Sequence, residues 1–262
     1  MSGEFVFFCV SFFILGALIG SFLNVVIYRW PREESVVSPR SKCPACEKGI
    51  PWYLNVPVFG WVFLRGKAAC CGMSISARYP LVEFLTGALF VLTFYFFGLS
   101  FQTFEYCLFV AMAVPCVFID LDHYLLPDVL TLPGIAVGLA GSFFSDTRTF
   151  TSALFGVLIG GGMFWFISWF YERYRNKEGM GFGDVKLLAW LSALGGVSSV
   201  VFVVFVSSIL GTLVGLYVIA FKGGDRNSGL PFGPFLIFAA FLYYYFGQMI
   251  QVEFPSFFLF VF

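Results

Sequence analysis

Apolar stretches long enough to cross a lipid bilayer recur from one end of this chain to the other, beginning with the uncharged run Phe5 to Tyr28. The hydrocarbon core of a bilayer is about 30 Å thick and takes about 20 helical residues to cross. No water is present there to pair with backbone N–H and C=O groups, so each spanning segment must satisfy them internally, as a helix does. Of the 262 residues, 60% are hydrophobic and only 11% charged, which leaves little material for a large soluble domain. The expected fold class is therefore all-α: a polytopic integral membrane protein with about eight transmembrane helices and one small irregular, zinc-ribbon-like loop domain. Spans are expected near 5–28, 81–98, 101–119, 129–144, 151–171, 186–200, 201–221 and 232–250. Pro115 and Pro133 interrupt the third and fourth, and the sixth is short.

The positive charges orient these spans. The polar stretch from Arg29 to Tyr79 holds Arg29, Arg32, Arg40, Lys42, Lys48, Arg65, Lys67 and Arg78 against three acids. Short loops rich in Lys and Arg stay in the cytoplasm. The segment before the first run, "MSGEF", has an acid and no basic residue, so the N-terminus is expected outside, with no signal-peptide n-region. Alternating the spans then puts Arg173, Arg175, Lys177, Lys186, Lys222 and Arg226 on the cytoplasmic side and only Arg148 outside. A net charge of zero says nothing of nucleic acid; what matters is that the basic residues are segregated at membrane flanks, and the partner expected is the lipid bilayer, with no nucleic acid. The closing stretch, "VEFPSFFLFVF", is too short to span and reads as interfacial. The organisation expected is a first helix at 1–28, a Cys-containing cytoplasmic loop domain at 29–79 and a multi-helix membrane domain at 80–262.

The loop has five prolines and no sustained helical period, and so small a domain needs a staple. "CPAC" supplies Cys43 and Cys46, whose two-residue spacer aims both thiolates at one tetrahedral metal, with Zn–S about 2.3 Å. A reducing compartment argues against a disulfide. The second half of such a site is irregular: "GKAACCG" places Cys70 and Cys71 side by side, with Ala68 where the first member of a pair belongs. Three outcomes are open: Cys70 substitutes, the site is three-coordinate and weak, or no site forms. Cys9, Cys107 and Cys116 lie within apolar runs, where Cys behaves as a small hydrophobe.

Four acids are hard to explain by solvation. Asp120, Asp122 and Asp128 come from "FIDLDHYLLPD", and Asp184 follows Gly179, Gly181 and Gly183 in "GMGFGDVKLL". All four fall at the cytoplasmic membrane boundary, and Asp120, directly after Val117, Phe118 and Ile119, is the deepest. Two carboxylates brought together cannot both ionise, so one keeps a proton while the other can draw one from a shared water. That pairing can hydrolyse a peptide bond by general acid/base catalysis with no covalent intermediate. Glycines before Asp184 would let a substrate backbone approach and would permit dihedrals that other residues resist. An equally simple alternative pairs Asp120 and Asp184 with Lys186, Arg173 or His123 to anchor helix ends, or makes them part of an ion path.

Taken together, "GSFLNVVIYRWP", "CPAC", "NVPVFGW", "LRGK", "ISARYPLVEFLTG", "IDLDHYLLPD" and "GMGFGDVKLL" occur in an order and spacing by which the chain resembles the type IV prepilin peptidases. These are bifunctional leader peptidases and N-methyltransferases of the GxGD aspartic protease class. The resemblance implies Asp120 and Asp184 as the catalytic pair, with Gly181 and Gly183 supporting the second and with Asp122 and Asp128 the alternatives for the first. It implies type IV prepilins or type II secretion pseudopilins as substrates, cut after the Gly that ends a short basic leader. It also implies methylation of the new N-terminus by S-adenosylmethionine, with Gly66, Lys67 and Glu83 as candidate residues, in a bacterial inner membrane. The family pattern has two CxxC pairs, from which Ala68 and Cys70 depart, so Zn2+ at Cys43, Cys46, Cys70 and Cys71 and the methyl transfer are where this chain could differ. A peptidase without methyl transfer, a transporter using Asp120, Asp122 and Asp184, and a non-enzymatic scaffold are the competing readings.

Overall fold

The structure is a computed structural model that describes residues 3–38, 41–43, 45–175, 181–222 and 230–253. Gly179, Lys177, Arg40, Arg226, Pro39, Pro44 and the terminal residues 254–262 named above lie outside the described residues. Among the described residues the structure is helical, with β pairing confined to two isolated bridges. The helices are α1 (Gly3–Arg29), the short α2 (Phe59–Phe63), α3 (Arg78–Phe97), α4 (Phe101–His123), α5 (Asp128–Gly141), α6 (Phe150–Arg175), α7 (Phe182–Gly195), α8 (Val197–Lys222) and α9 (Gly233–Glu253). Each of the eight expected runs is helical, but the count of eight spans is not confirmed. Among the described residues five helices are long and apolar enough to cross: α1 with the turn after it, α3, α4, α6 and α8. At a rise of about 1.5 Å per residue, 14-residue helices such as α5 and α7 reach only about 21 Å. The expected break at 200/201 falls instead at Gly196, whose φ of 74° ends α7 and lets α8 begin at Val197. Pro115 and Pro133 are accommodated inside α4 and α5.

The chain divides into two compact units, Met1–Phe118 and Ile119–Phe262. In the first, α1 lies along α3. Small residues allow it: a Cβ on Gly16 would stand 2.8 Å from the Gly87 Cα, and one on Gly20 would stand 2.8 Å from the Glu83 Cα. Because lipid is as apolar as Leu, helices in a bilayer associate through such close backbone packing. Phe5, Phe8 and Phe12 then line up on Phe94, the last at a ring separation of 4.9 Å.

In the second unit α7 is the central rod, in contact with α5, α6, α8 and α9. It is buried continuously from Leu187 to Leu194, as expected for a helix apolar on all sides. Small-residue faces clasp it: Gly134 and Gly138 of α5 meet Trp190 and Ala193, and Gly160 and Gly161 of α6 meet Ser192 and Ala189. A Cβ at Gly134 would come within 2.5 Å of the Trp190 indole, which is 1% exposed and has no room to yield. Gly134→Ala is therefore expected to destabilise the protein by roughly 1–3 kcal/mol. The check is a lower thermal midpoint in detergent, against Gly162→Ala, where nothing lies within 4 Å, as the unchanged control.

Candidate active site

The carboxylates are set by three helix ends of the second unit. Asp120 lies in the last turn of α4, 5% exposed, before the chain turns at Tyr124 (φ 56°). Its Oδ2 accepts a hydrogen bond of 3.0 Å from the backbone N–H of Gly233, the first residue of α9. Asp184 lies in the first turn of α7, half-buried, its N–H donated to the Gly181 carbonyl. Leu126 joins these ends. A Cβ on Gly183 would lie 3.0 Å from the Leu126 Cβ, and one on Gly233 would lie 3.2 Å from the Leu126 Cδ2 and 2.7 Å from the Asp120 Oδ2. The helix starts that carry Asp184 and Gly233 thus pack on one leucine beside Asp120, and the charge of Asp120 acts on Asp184.

The glycines of the motif serve by their size. Gly181 has φ −63° and ψ 134°, open to any residue, and Gly183 is not at positive φ, so the expected special dihedrals are not what these positions use. Gly183 admits Leu126, while a Cβ at Gly181 would meet, among the described residues, only the Asp184 Oδ2, at 3.8 Å.

The other acids separate from this pair. Asp128, at the start of α5, takes both oxygens to the Lys186 ammonium at 2.6 and 2.8 Å, so Lys186 serves Asp128. Asp122 and His123 are exposed at the end of α4. Gly233 and Leu126 were not legible as site residues. "PFGP" reads as a turn before a helix, and the partner of Gly233 lies 113 residues away.

The cysteine loop lies in the first unit and consists of two hairpins with one hydrogen-bond pattern. In the first, Cys43 N–H donates to the Lys48 carbonyl and Glu47 N–H to the Cys43 carbonyl, with Lys42 bridged to Gly49. In the second, Ala68 N–H donates to Met73 and Gly72 N–H to Ala68, with Lys67 bridged to Ser74. Ala68 thus occupies the position of Cys43, Cys71 that of Cys46, and Cys70 that of Ala45. Despite the altered spacing, the sulfurs of Cys43, Cys46, Cys70 and Cys71 all lie within 4.8 Å of one another. Separations are 3.7 Å for Cys43 and Cys71, 3.2 Å for Cys46 and Cys70, and 3.9 Å for the adjacent Cys70 and Cys71. Four sulfurs about 2.3 Å from one zinc would stand about 3.8 Å apart, so the donor set fits a closed tetrahedral ion. The folded loop thus brings Cys70 as well as Cys71 to Cys43 and Cys46. Backbone N–H groups of Cys46 and Ala45 draw the Cys43 thiol down to about 6, toward the thiolate a metal needs. The hydrogen bond with Cys46, then desolvation, push Cys70 up to about 12, so an incoming metal would have to displace that proton.

The remaining candidates form a second feature of this unit. Gly66 (φ 70°) lies under the Trp61 ring, and Trp61 Nε1 donates to the Ile75 carbonyl. Lys67 is exposed beside it. Glu83 is a full turn inside α3 and 8% exposed. Its Oε2 accepts the Val58 N–H at 2.7 Å. Val58 has φ 62° and ψ −53°, and Phe59 N–H reaches back to the Pro57 carbonyl at 2.6 Å. That is a γ-turn of the rare strained form, unusual for a β-branched residue, and the buried carboxylate holds it in place.

Comparison with known proteins identifies the family. Residues 14–97 match the bacterial peptidase A24 N-terminal domain and residues 107–216 the type IV leader peptidase family. A prepilin leader peptidase/N-methyltransferase of Stutzerimonas stutzeri is 35% identical, over 93% of this chain and 92% of its own. Proteins of the same description from Xanthomonas campestris and Myxococcus xanthus are 37% and 39% identical, over 89% and 87% of this chain and 90% and 68% of their own. No solved structure matches the chain. With similarity running through both the cysteine loop and the helices that carry Asp120 and Asp184, the chain belongs to the type IV leader peptidase family.

Proposed function

We propose that this protein is a membrane aspartic endopeptidase that removes the leader of prepilins and then methylates the new N-terminus, with Asp120 and Asp184 as its two carboxylates. The observation that carries the assignment is the packing of the starts of α7 and α9 on Leu126 beside a buried Asp120, which brings two acids from different helices to one place. A pair of this kind shares one proton. The ionised carboxylate takes a proton from water, the water oxygen attacks the carbonyl that precedes the cut, and the protonated carboxyl donates to the carbonyl oxygen. The lack of a side chain at Gly181, where among the described residues only the Asp184 Oδ2 stands within 4 Å of a Cβ, would give an extended substrate a way to Asp184.

The charge distribution supports a cytoplasmic loop and an outside N-terminus, so the basic leader would stay in the cytoplasm while the apolar pilin helix lies in the membrane. Pseudopilins have the same chemistry and fall within the same substrate class. Residues 29–79 form the methyl-transfer region in this reading, with Gly66, Lys67 and Glu83 as its candidate residues, and residues 80–262 form the peptidase. S-adenosylmethionine would supply the methyl group. Cys43, Cys46, Cys70 and Cys71 would hold zinc in a closed four-sulfur site with no open position, so the ion stabilises the loop and takes no part in either reaction.

The test is the mass of a prepilin incubated with membranes containing the protein, with and without added S-adenosylmethionine. Loss of the leader after its glycine is expected in both cases, and the mass of one additional methylene only with the methyl donor. A cut product that never gains the methylene would reduce the protein to a peptidase, and an uncut prepilin would refute the proposal.

A further inference from the structure

The first turn of α9 offers Asp120 a single donor. A helix start leaves up to four N–H groups without intrahelical partners. Here Pro234 has none to give, and those of Phe235 and Leu236 go to the Phe232 carbonyl. That leaves the N–H of Gly233, which is buried and directed at the Asp120 Oδ2. In an apolar surrounding that N–H must keep an acceptor, and a carboxylate anion is a stronger acceptor than a neutral acid.

Helix fields do not reverse the preference. The C-terminal end of α4 disfavours a negative Asp120, but the N-terminal end of α9 is directed at the same carboxylate with the opposite sign. Among the described residues, what remains is a direct hydrogen bond on Asp120 against the first-turn field of α7 on Asp184. A direct bond to a charged group is the stronger of the two.

Resting on the assignment of Asp120 and Asp184 as the catalytic pair, we infer that the Gly233 N–H is a positioning group that holds Asp120 as the ionised member, the base, and leaves Asp184 as the acid. In the forward step one water proton passes to Asp120, the water oxygen bonds to the carbonyl carbon, and the Asp184 proton passes to the carbonyl oxygen, giving a neutral gem-diol. In its collapse Asp120 returns its proton to the amide nitrogen as the C–N bond breaks, and one gem-diol hydroxyl proton returns to Asp184. Both carboxyls end as they began. Glycine at 233 is required for space and not for backbone freedom, because any Cβ there would stand 2.7 Å from the Asp120 Oδ2 and displace it from the donor.

The experiment uses the full-length protein and a prepilin substrate. Gly233→Ala is expected to lower kcat for cleavage by about tenfold or more. KM should stay within about twofold, the pattern of a loss confined to the transition state. Methylation of an already cleaved pilin should be unchanged, which reports that the variant is folded. Near-wild-type kcat in Gly233→Ala, with Asp120→Asn inactive, would overturn the inference and spare the pair. Near-wild-type cleavage by Asp120→Asn or Asp184→Asn would instead remove the pair itself. If Gly233→Ala loses both activities, labelling of the wild-type protein decides. An aryl glycidyl epoxide is opened by a carboxylate anion, so peptide mapping should find the ester on Asp120. An adduct on Asp184 alone, or none on Asp120, would overturn the assignment.

Discussion

Asp120→Asn and Asp184→Asn are each expected to abolish leader cleavage, by about a hundredfold to ten-thousandfold, the span over which general acid/base groups contribute. Both changes are nearly isosteric, so the loss can be attributed to chemistry. At position 120 the amide oxygen can still accept the Gly233 N–H, and the α4–α9 contact survives with the charge removed. At 184 the side chain is only half-buried and the rod that carries it is held by α5 and α6 through Trp190, Ser192 and Ala189. Prepilin cleavage by membranes, followed by mass, checks the expectation, with methylation of pre-cleaved pilin as the control for insertion. Asp128→Asn belongs in the same series for contrast. Its carboxylate is bound to Lys186, and its loss should cost far less than that of either member of the pair. Cleavage at near-wild-type rate in either Asp120→Asn or Asp184→Asn would show that the acid concerned takes no part.

The second large effect concerns the loop. Chelation, or Cys43→Ser, is expected to abolish methylation while leader cleavage persists. Cys43 is 2% exposed and its thiol is drawn down by the N–H groups of Cys46 and Ala45, so its replacement removes the buried member of the four-sulfur cluster. Structural zinc sites contribute about 10–16 kcal/mol to the folding of small domains, far more than so short a loop could obtain from packing. The readouts are zinc content of the purified protein and methyl transfer to a cleaved pilin. A double variant, Ala68→Cys with Cys70→Ala, sharpens the test by returning the sulfur to the position that matches Cys43 in the hairpin repeat. It should keep both zinc and methylation, whereas Cys70→Ala alone should weaken zinc binding. Unchanged methylation in chelated protein would separate the metal from the reaction.

How far the sequence could be read depended on the range of the interaction concerned. The helical class and the position of each helix follow from local runs of apolar residues, and there the expectation and the structure agree within a few residues. The break between α7 and α8 was misplaced because the spans were drawn by length and hydropathy, whereas the turn falls at the Gly195–Gly196 pair that precedes Ser198 and Ser199, with Gly196 at positive φ. Asp120 and Asp184 stood out because a carboxylate beside an apolar run is costly wherever it is. Gly233 did not stand out, since its role depends on a carboxylate brought to it through tertiary packing. The hold of Glu83 on the strained turn at Val58 was hidden for a similar reason, since that turn lies 25 residues earlier in the chain. Cys70 was ambiguous by spacing alone and became interpretable once the two hairpins could be compared bond by bond.

That comparison bears on how such a site can change over generations. Because the backbone of the second hairpin is held by its own hydrogen bonds, with alanine at the position where its counterpart has cysteine, the fold of the turn does not depend on which residue carries the sulfur. Positions 68 and 70 are then interchangeable berths for one ligand. A lineage that gains a thiol at one can lose it at the other without passing through a form that lacks the fourth sulfur. The motif by which such loops are recognised in sequence can decay while the four-sulfur geometry persists, so a broken CxxC is weak evidence that the sulfur cluster itself has been lost.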